Sequence, residues 1–71
     1  MNIILNGEKY EISKDSITVE ELLNELSVKW NIDLSGAVVL VNDEIVKKND
    51  WKTEKIAEDY HLEVLSFVSG G

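Results

Sequence analysis

The stretch Thr18-Val19-Glu20-Glu21-Leu22-Leu23-Asn24-Glu25-Leu26-Ser27-Val28-Lys29-Trp30 decides the fold. Thr18, followed three residues later by Glu21, is a capping box: the hydroxyl accepts from the Glu21 amide and the Glu21 carboxylate reaches back to the Thr18 amide. A helix starts here. Val19, Leu22, Leu23, Leu26 and Trp30 recur at helical spacing, while Glu20, Glu21, Asn24, Glu25 and Lys29 take the other side, so one face is expected to lie against a sheet. Asn31 to Gly36 replaces the pattern with polar and turn-forming residues, which ends the helix near Lys29 or Trp30.

On the N-terminal side, Asn2-Ile3-Ile4-Leu5, Asn6-Gly7 and Glu8-Lys9-Tyr10-Glu11-Ile12 spell a hairpin, because Asn-Gly readily takes the two positive φ angles of a type I′ turn. Alternation sends Ile3, Leu5, Tyr10 and Ile12 to the core and leaves Glu8, Lys9 and Glu11 in water. On the C-terminal side, Ala37-Val38-Val39-Leu40-Val41 is an uninterrupted apolar run of strand length, expected to be central and covered by the helix. Asn42-Asp43 turns it into a short second arm, Glu44-Ile45-Val46. In the polar stretch from Lys47 to Tyr60, Trp51 and Ile56 read as core anchors.

His61-Leu62-Glu63-Val64-Leu65-Ser66-Phe67-Val68 is a final strand, followed by Ser69-Gly70-Gly71. The order strand, strand, helix, strand, short strand, strand matches no βαβ repeat. It fits an α+β fold in which a mixed four- or five-stranded sheet grips one helix, the first and last strands being parallel neighbours. The domain is expected to span residues 1–67, with residues 68–71 as a flexible tail.

Composition narrows the function. A chain of 71 residues buries only about 60% of its unfolded surface, and an enclosing substrate cleft would consume much of so thin a core. An autonomous enzyme is therefore not expected. No apolar run approaches the ~20 residues of a membrane span, and Met1 leads straight into a strand with no signal-like segment, so the cytoplasm is the expected location. With no cysteine, the chain has no thiol on which to carry sulfur. Its net charge of −7 repels phosphate backbones and favours basic protein surfaces, which argues against nucleic acid as a partner.

Few side chains are placed for catalysis. His61, the only histidine, heads a strand beside no activated nucleophile. Asp43-Glu44 and Glu58-Asp59 lack calcium-loop spacing and the supporting ligands of a transition-metal site, so no metal site is expected. The C-terminus stands apart. A chain ends in Gly-Gly by chance about once in 200, and here the pair closes eight uncharged residues, Val64 to Gly71, in a chain that is 30% charged. Glycines thread channels too narrow for side chains, so the Gly71 carboxylate can reach a buried site on a partner. If that partner binds ATP, the carboxylate attacks the α-phosphorus to form an acyl-adenylate and pyrophosphate. A sulfur nucleophile then displaces AMP and leaves a thiocarboxylate, with charge stabilisation from the partner's cationic groups and metal.

Three stretches carry a family likeness: Val19 to Leu23 with Leu26, Val39-Leu40-Val41-Asn42-Asp43-Glu44-Ile45-Val46 through Trp51, and Leu62 to Gly71. In these the whole chain resembles the ThiS family of thiamine-biosynthesis sulfur carriers, ubiquitin-like β-grasp proteins. The resemblance implies that Gly71 is adenylated by a ThiF-type adenylyltransferase using ATP and magnesium, the carrier itself holding no cofactor. It also implies sulfur from a donor such as a cysteine desulfurase persulfide, and delivery to a ThiG-type thiazole synthase. Asp43 stands where the family's turn usually has Gly, and Ser69 precedes the diglycine where a third Gly is common. The small subunit of molybdopterin synthase shares this architecture and chemistry, but the chain lacks that subunit's proline near the tail and aromatic density in the first strand. A ubiquitin-like modifier or interaction module is the alternative from another class.

Alternation in the last strand adds a docking expectation. With Leu62 and Val64 in the core, Leu65 and Phe67 lie partly on the surface and, with Val68, form a partner-binding patch beside the tail residues Ser69 and Gly70. The alternative is that Phe67 packs on the edge of the core.

Overall fold

A computed structural model of the chain describes residues 1–66. In chain order the elements are β1 (Asn2–Leu5), β2 (Glu8–Glu11), β3 (Ile17–Thr18), α1 (Val19–Trp30), β4 (Val38–Val41), β5 (Glu44–Val46), β6 (Lys55–Ile56) and β7 (His61–Leu65), with a 3-10 turn at Lys48–Asp50. Asn6 and Gly7 take φ values of 51° and 84°, and Asn42 and Asp43 take 50° and 71°. Both hairpins therefore turn through paired positive φ angles, the type I′ geometry whose twist matches that of the flanking strands.

Five strands form one sheet in the order β2-β1-β7-β4-β5. Within the sheet the two hairpins are joined by β7, which runs parallel to β1 and antiparallel to β4. The apolar run at β4 is thus an inner strand, while β7 holds the centre. A second, two-stranded pairing joins β3 to β6. Its strands are too short to show any periodicity in the sequence.

Helix α1 begins with the capping box at Thr18 and Glu21 and ends at Asn31, whose φ of 56° and ψ of 46° give the left-handed cap that asparagine tolerates. Free amides of the first turn find partners in the 51–54 segment: Val19 N–H donates to the Glu54 carbonyl and Glu20 N–H to that of Trp51. Val19, Leu22, Leu23 and Leu26 are buried against Ile3, Leu5, Val39, Val41, Leu62 and Val64 of the sheet. Each such side chain contributes about 1.5–3 kcal/mol by leaving water.

Two apolar residues depart from the expected pattern. Trp30 shares the helical spacing of the core residues but is 38% exposed. It sits on the last helical residue, and its indole lines a surface groove with Leu5, Asn6, Glu8, Lys9 and Tyr10 of the first hairpin. Leu34, in the turn after the helix, is buried instead. Trp51 is buried as expected, and its indole N–H donates to the Val46 carbonyl at 3.1 Å.

Candidate functional site

Strand β7 leads toward the C-terminal glycines, so the site is built around it. Backbone groups of its even-numbered residues face β1: Ile4 N–H donates to the Tyr60 carbonyl just before the strand, and Asn6 N–H donates to that of Leu62. On the other side β7 lies in antiparallel register with β4, from Val41↔Leu62 through Val38↔Leu65. β1 stops at Leu5, yet Val64 is not left unpaired on that side. The Asn6 carboxamide accepts from Val64 N–H at 2.8 Å through Oδ1 and donates to the Val64 carbonyl at 3.4 Å through Nδ2. At the other end of β7, Asn42 Oδ1 accepts from His61 N–H at 2.9 Å while Asn42 N–H donates to the His61 carbonyl at 2.7 Å. One asparagine from each hairpin turn therefore grips an end of the central strand.

The sheet's face away from the helix divides in two. Leu65 is 44% exposed and stands opposite Val38. Leu40, half-buried, stands opposite Ile45, which is 69% exposed. These four side chains make an apolar half over β7, β4 and β5. The other half, over β1, β2 and the first three residues of β7, carries Lys9, Glu11, His61 and Glu63 around half-buried Ile4, Glu63 standing beside Leu40 at the boundary.

Of the residues singled out in the sequence, Leu65 lies on this outer face. Phe67, Val68, Ser69, Gly70 and Gly71 lie outside the described residues, as does the domain boundary expected at 67/68. Val38, Leu40 and Ile45 were not expected here. Period-two alternation within Ala37 to Val46 marks them, because a strand that sends Val39, Val41 and Val46 inward sends their neighbours outward.

Elsewhere the chemistry is structural. Glu21 is held below the usual carboxylate range chiefly by the backbone N–H of Thr18, and Asp33 by that of Ser35. A groove between α1 and the 3-10 turn is lined by Leu23, Ile32, Leu34 and Trp51 together with Asp33 and Lys48. Among the described residues no three acidic or histidine side chains gather as a metal site, and no helix is long and apolar enough to cross a membrane.

The geometry has close relatives. Over its full length the chain superposes on the crystal structure of a thiamine biosynthesis protein, ThiS, from Geobacter metallireducens, with a TM-score of 0.83, 26% identity and all of both chains covered. A solution structure of a thiamine biosynthesis protein from the same organism gives a TM-score of 0.81 at 26% identity, covering all of this chain and 88% of that one. The sequence is 37% identical over 71 residues to a thiazole synthase of Paramagnetospirillum magneticum, covering all of this chain and 20% of the relative. The chain thus spans about one fifth of the length of that curated relative. The family model that matches, ThiS, runs from residue 3 to residue 71 and takes in both C-terminal glycines. With that span matched and the mixed sheet gripping one helix, the chain belongs to the ThiS family.

Proposed function

We propose that this chain is a sulfur carrier of thiamine biosynthesis whose working group is the carboxylate of Gly71. The observation that carries the reading is the family match running through Gly70 and Gly71. Strand β7 supports it, because the strand that leads to the glycines is the central strand of the sheet and is held by asparagine side chains near both ends. Five residues separate Ser66 from the end of the sequence, a contour of about 17 Å when extended, enough to reach into a partner's active site.

In the reaction a Gly71 carboxylate oxygen bonds to the α-phosphorus of ATP on a ThiF-type enzyme, and pyrophosphate leaves with the partner's magnesium. A sulfur nucleophile then attacks the acyl carbon and AMP departs. Where the nucleophile is a persulfide, a thiol must cleave the resulting S–S bond to release the thiocarboxylate. Glycine at the last two positions leaves the acyl carbon open to attack. The apolar half of the outer sheet, Leu65 with Val38, Leu40 and Ile45, is the docking surface, and the net charge of −7 steers it to a basic partner. The acceptor is read as a thiazole synthase because part of a protein of that name is 37% identical to this chain.

The test is intact mass after incubation with ATP, magnesium, a ThiF-type enzyme and a sulfur source, beside a variant lacking Gly71. The expected result is a gain equal to one oxygen replaced by sulfur in the full chain alone. Absence of both adenylate and thiocarboxylate with a competent enzyme would overturn the carrier reading in favour of an interaction module.

A further inference from the structure

The Asn6 carboxamide occupies a place that backbone normally fills. In a parallel ladder each residue donates to one partner residue and accepts from the residue two further along the partner strand. Asn6 N–H donates to the Leu62 carbonyl, so the regular continuation would have Val64 N–H donate to the backbone carbonyl of Asn6. Asn6 has a positive φ and opens the hairpin turn, and it is Oδ1 of this residue that accepts from Val64 N–H, with Nδ2 returning a bond to the Val64 carbonyl. β4 holds the opposite edge as far as Leu65. Asn6 therefore supplies the last described hold on the β1 edge of β7.

We infer that Asn6 is a positioning residue for the carrier reaction: its clamp on Val64 fixes the direction in which the chain leaves the sheet toward Gly71. This rests on the carrier reading proposed above. Without the clamp, the β1 side of Val64 is released and the strand end frays from that edge. More backbone must then be ordered at docking, and that cost falls on association rather than on the chemistry of the bound complex.

Asn6→Gly removes the carboxamide and keeps the turn, since Gly-Gly suits both positive φ positions. Asn6→Asp restores an acceptor for Val64 N–H while losing the donor to its carbonyl, and aspartate also tolerates the left-handed region. Amide exchange in the full chain, read by NMR, is expected to rise at least tenfold at Val64 in N6G, to return most of the way in N6D, and to stay unchanged at Val39 in the core. With a ThiF-type enzyme, ATP and magnesium, N6G is expected to raise the KM for the carrier about 5- to 20-fold, from the ordering of about one residue, with the change falling on KM rather than kcat and largely reversed in N6D. Unchanged Val64 exchange, an unchanged KM, or equal loss of protection at Val39 would each overturn the inference. A wild-type chain that is never adenylated would fail the carrier reading itself and take this inference with it. A wild-type chain that is adenylated, beside an N6G variant of equal KM, would fail the clamp alone.

Discussion

Leu40 of β4 and Ile45 of β5 face each other across the antiparallel ladder on the outside of the sheet, with Ile45 69% exposed. A pair so placed adds little to folding, since its outer partner remains in water. Ile45→Glu is therefore expected to leave the stability read from urea unfolding within about 0.5 kcal/mol of wild type, as for other surface substitutions. It should weaken binding to a ThiF-type enzyme at least tenfold, the cost of a charge at the centre of an apolar interface. Calorimetric titration reads the second quantity, and unaltered affinity would remove this face from the docking surface. Leu62→Ala, on the inner face of the same sheet, should do the reverse and destabilise by about 2–5 kcal/mol.

Asp43 holds a φ of 71° in the β4–β5 turn, where a side chain costs conformational energy that glycine avoids. Asp43→Gly is expected to stabilise the fold by about 0.5–1 kcal/mol, the relief of left-handed strain being partly offset by the freer unfolded chain. Thermal unfolding checks this, and a lower midpoint would mean that the aspartate side chain makes a compensating contribution.

Trp51 joins the 3-10 turn to the core by packing and by its bond to the Val46 carbonyl. Trp51→Phe keeps most of the apolar volume and removes the donor, so a loss of about 1–3 kcal/mol is expected from the unpaired buried carbonyl. Trp51→Ala should cost about 3–5 kcal/mol. Two denaturant curves with equal slopes would give both numbers.

The capping box makes stability depend on acid. Glu21 is ionised to a lower pH in the folded chain than in the unfolded one, first because Thr18 N–H donates to its carboxylate and also through the Thr18 hydroxyl and the charges of Lys14 and Lys55. A depressed carboxylate contributes stability that is fully present above its unfolded value, about 4.3, and is lost as pH falls through the folded value. Glu21→Gln keeps an acceptor for Thr18 N–H but does not titrate. The stability difference between wild type and E21Q should therefore shrink toward zero or reverse as pH is lowered from about 5, while Thr18→Ala should cost about 1 kcal/mol at neutral pH. Urea unfolding across that range tests both.

Elements announced by a chemical signature were legible in the sequence. Asn6-Gly7 and Thr18 with Glu21 specify their local geometry almost unaided, and the alternation of Leu62 and Val64 fixes which face of the last strand is buried. Positions decided by distant packing were not. Trp30 obeys the spacing of the buried helical face, but it is 38% exposed and lines a groove with the first hairpin. Leu34 sits among turn residues and is buried without any periodic pattern to announce it. The outer face was half legible: strand alternation gives the outward turn of Leu65 and of Val38, Leu40 and Ile45, but that these lie side by side follows only from the β5-β4-β7 order, a tertiary fact. Asn6 was read as a turn former, and its hold on Val64 depends on a strand that begins 55 residues later.

The central place of β7 bears on how the molecule is made. Both hairpins can close soon after their residues emerge during synthesis, because each pairs neighbours in the chain. Neither belongs to a common sheet until residues 61–65 slide between β1 and β4. The assembly step that completes the domain is thus the same step that anchors the strand leading to the glycines, so a partner that recognises the joined sheet inspects the folding of the whole carrier before it touches the tail.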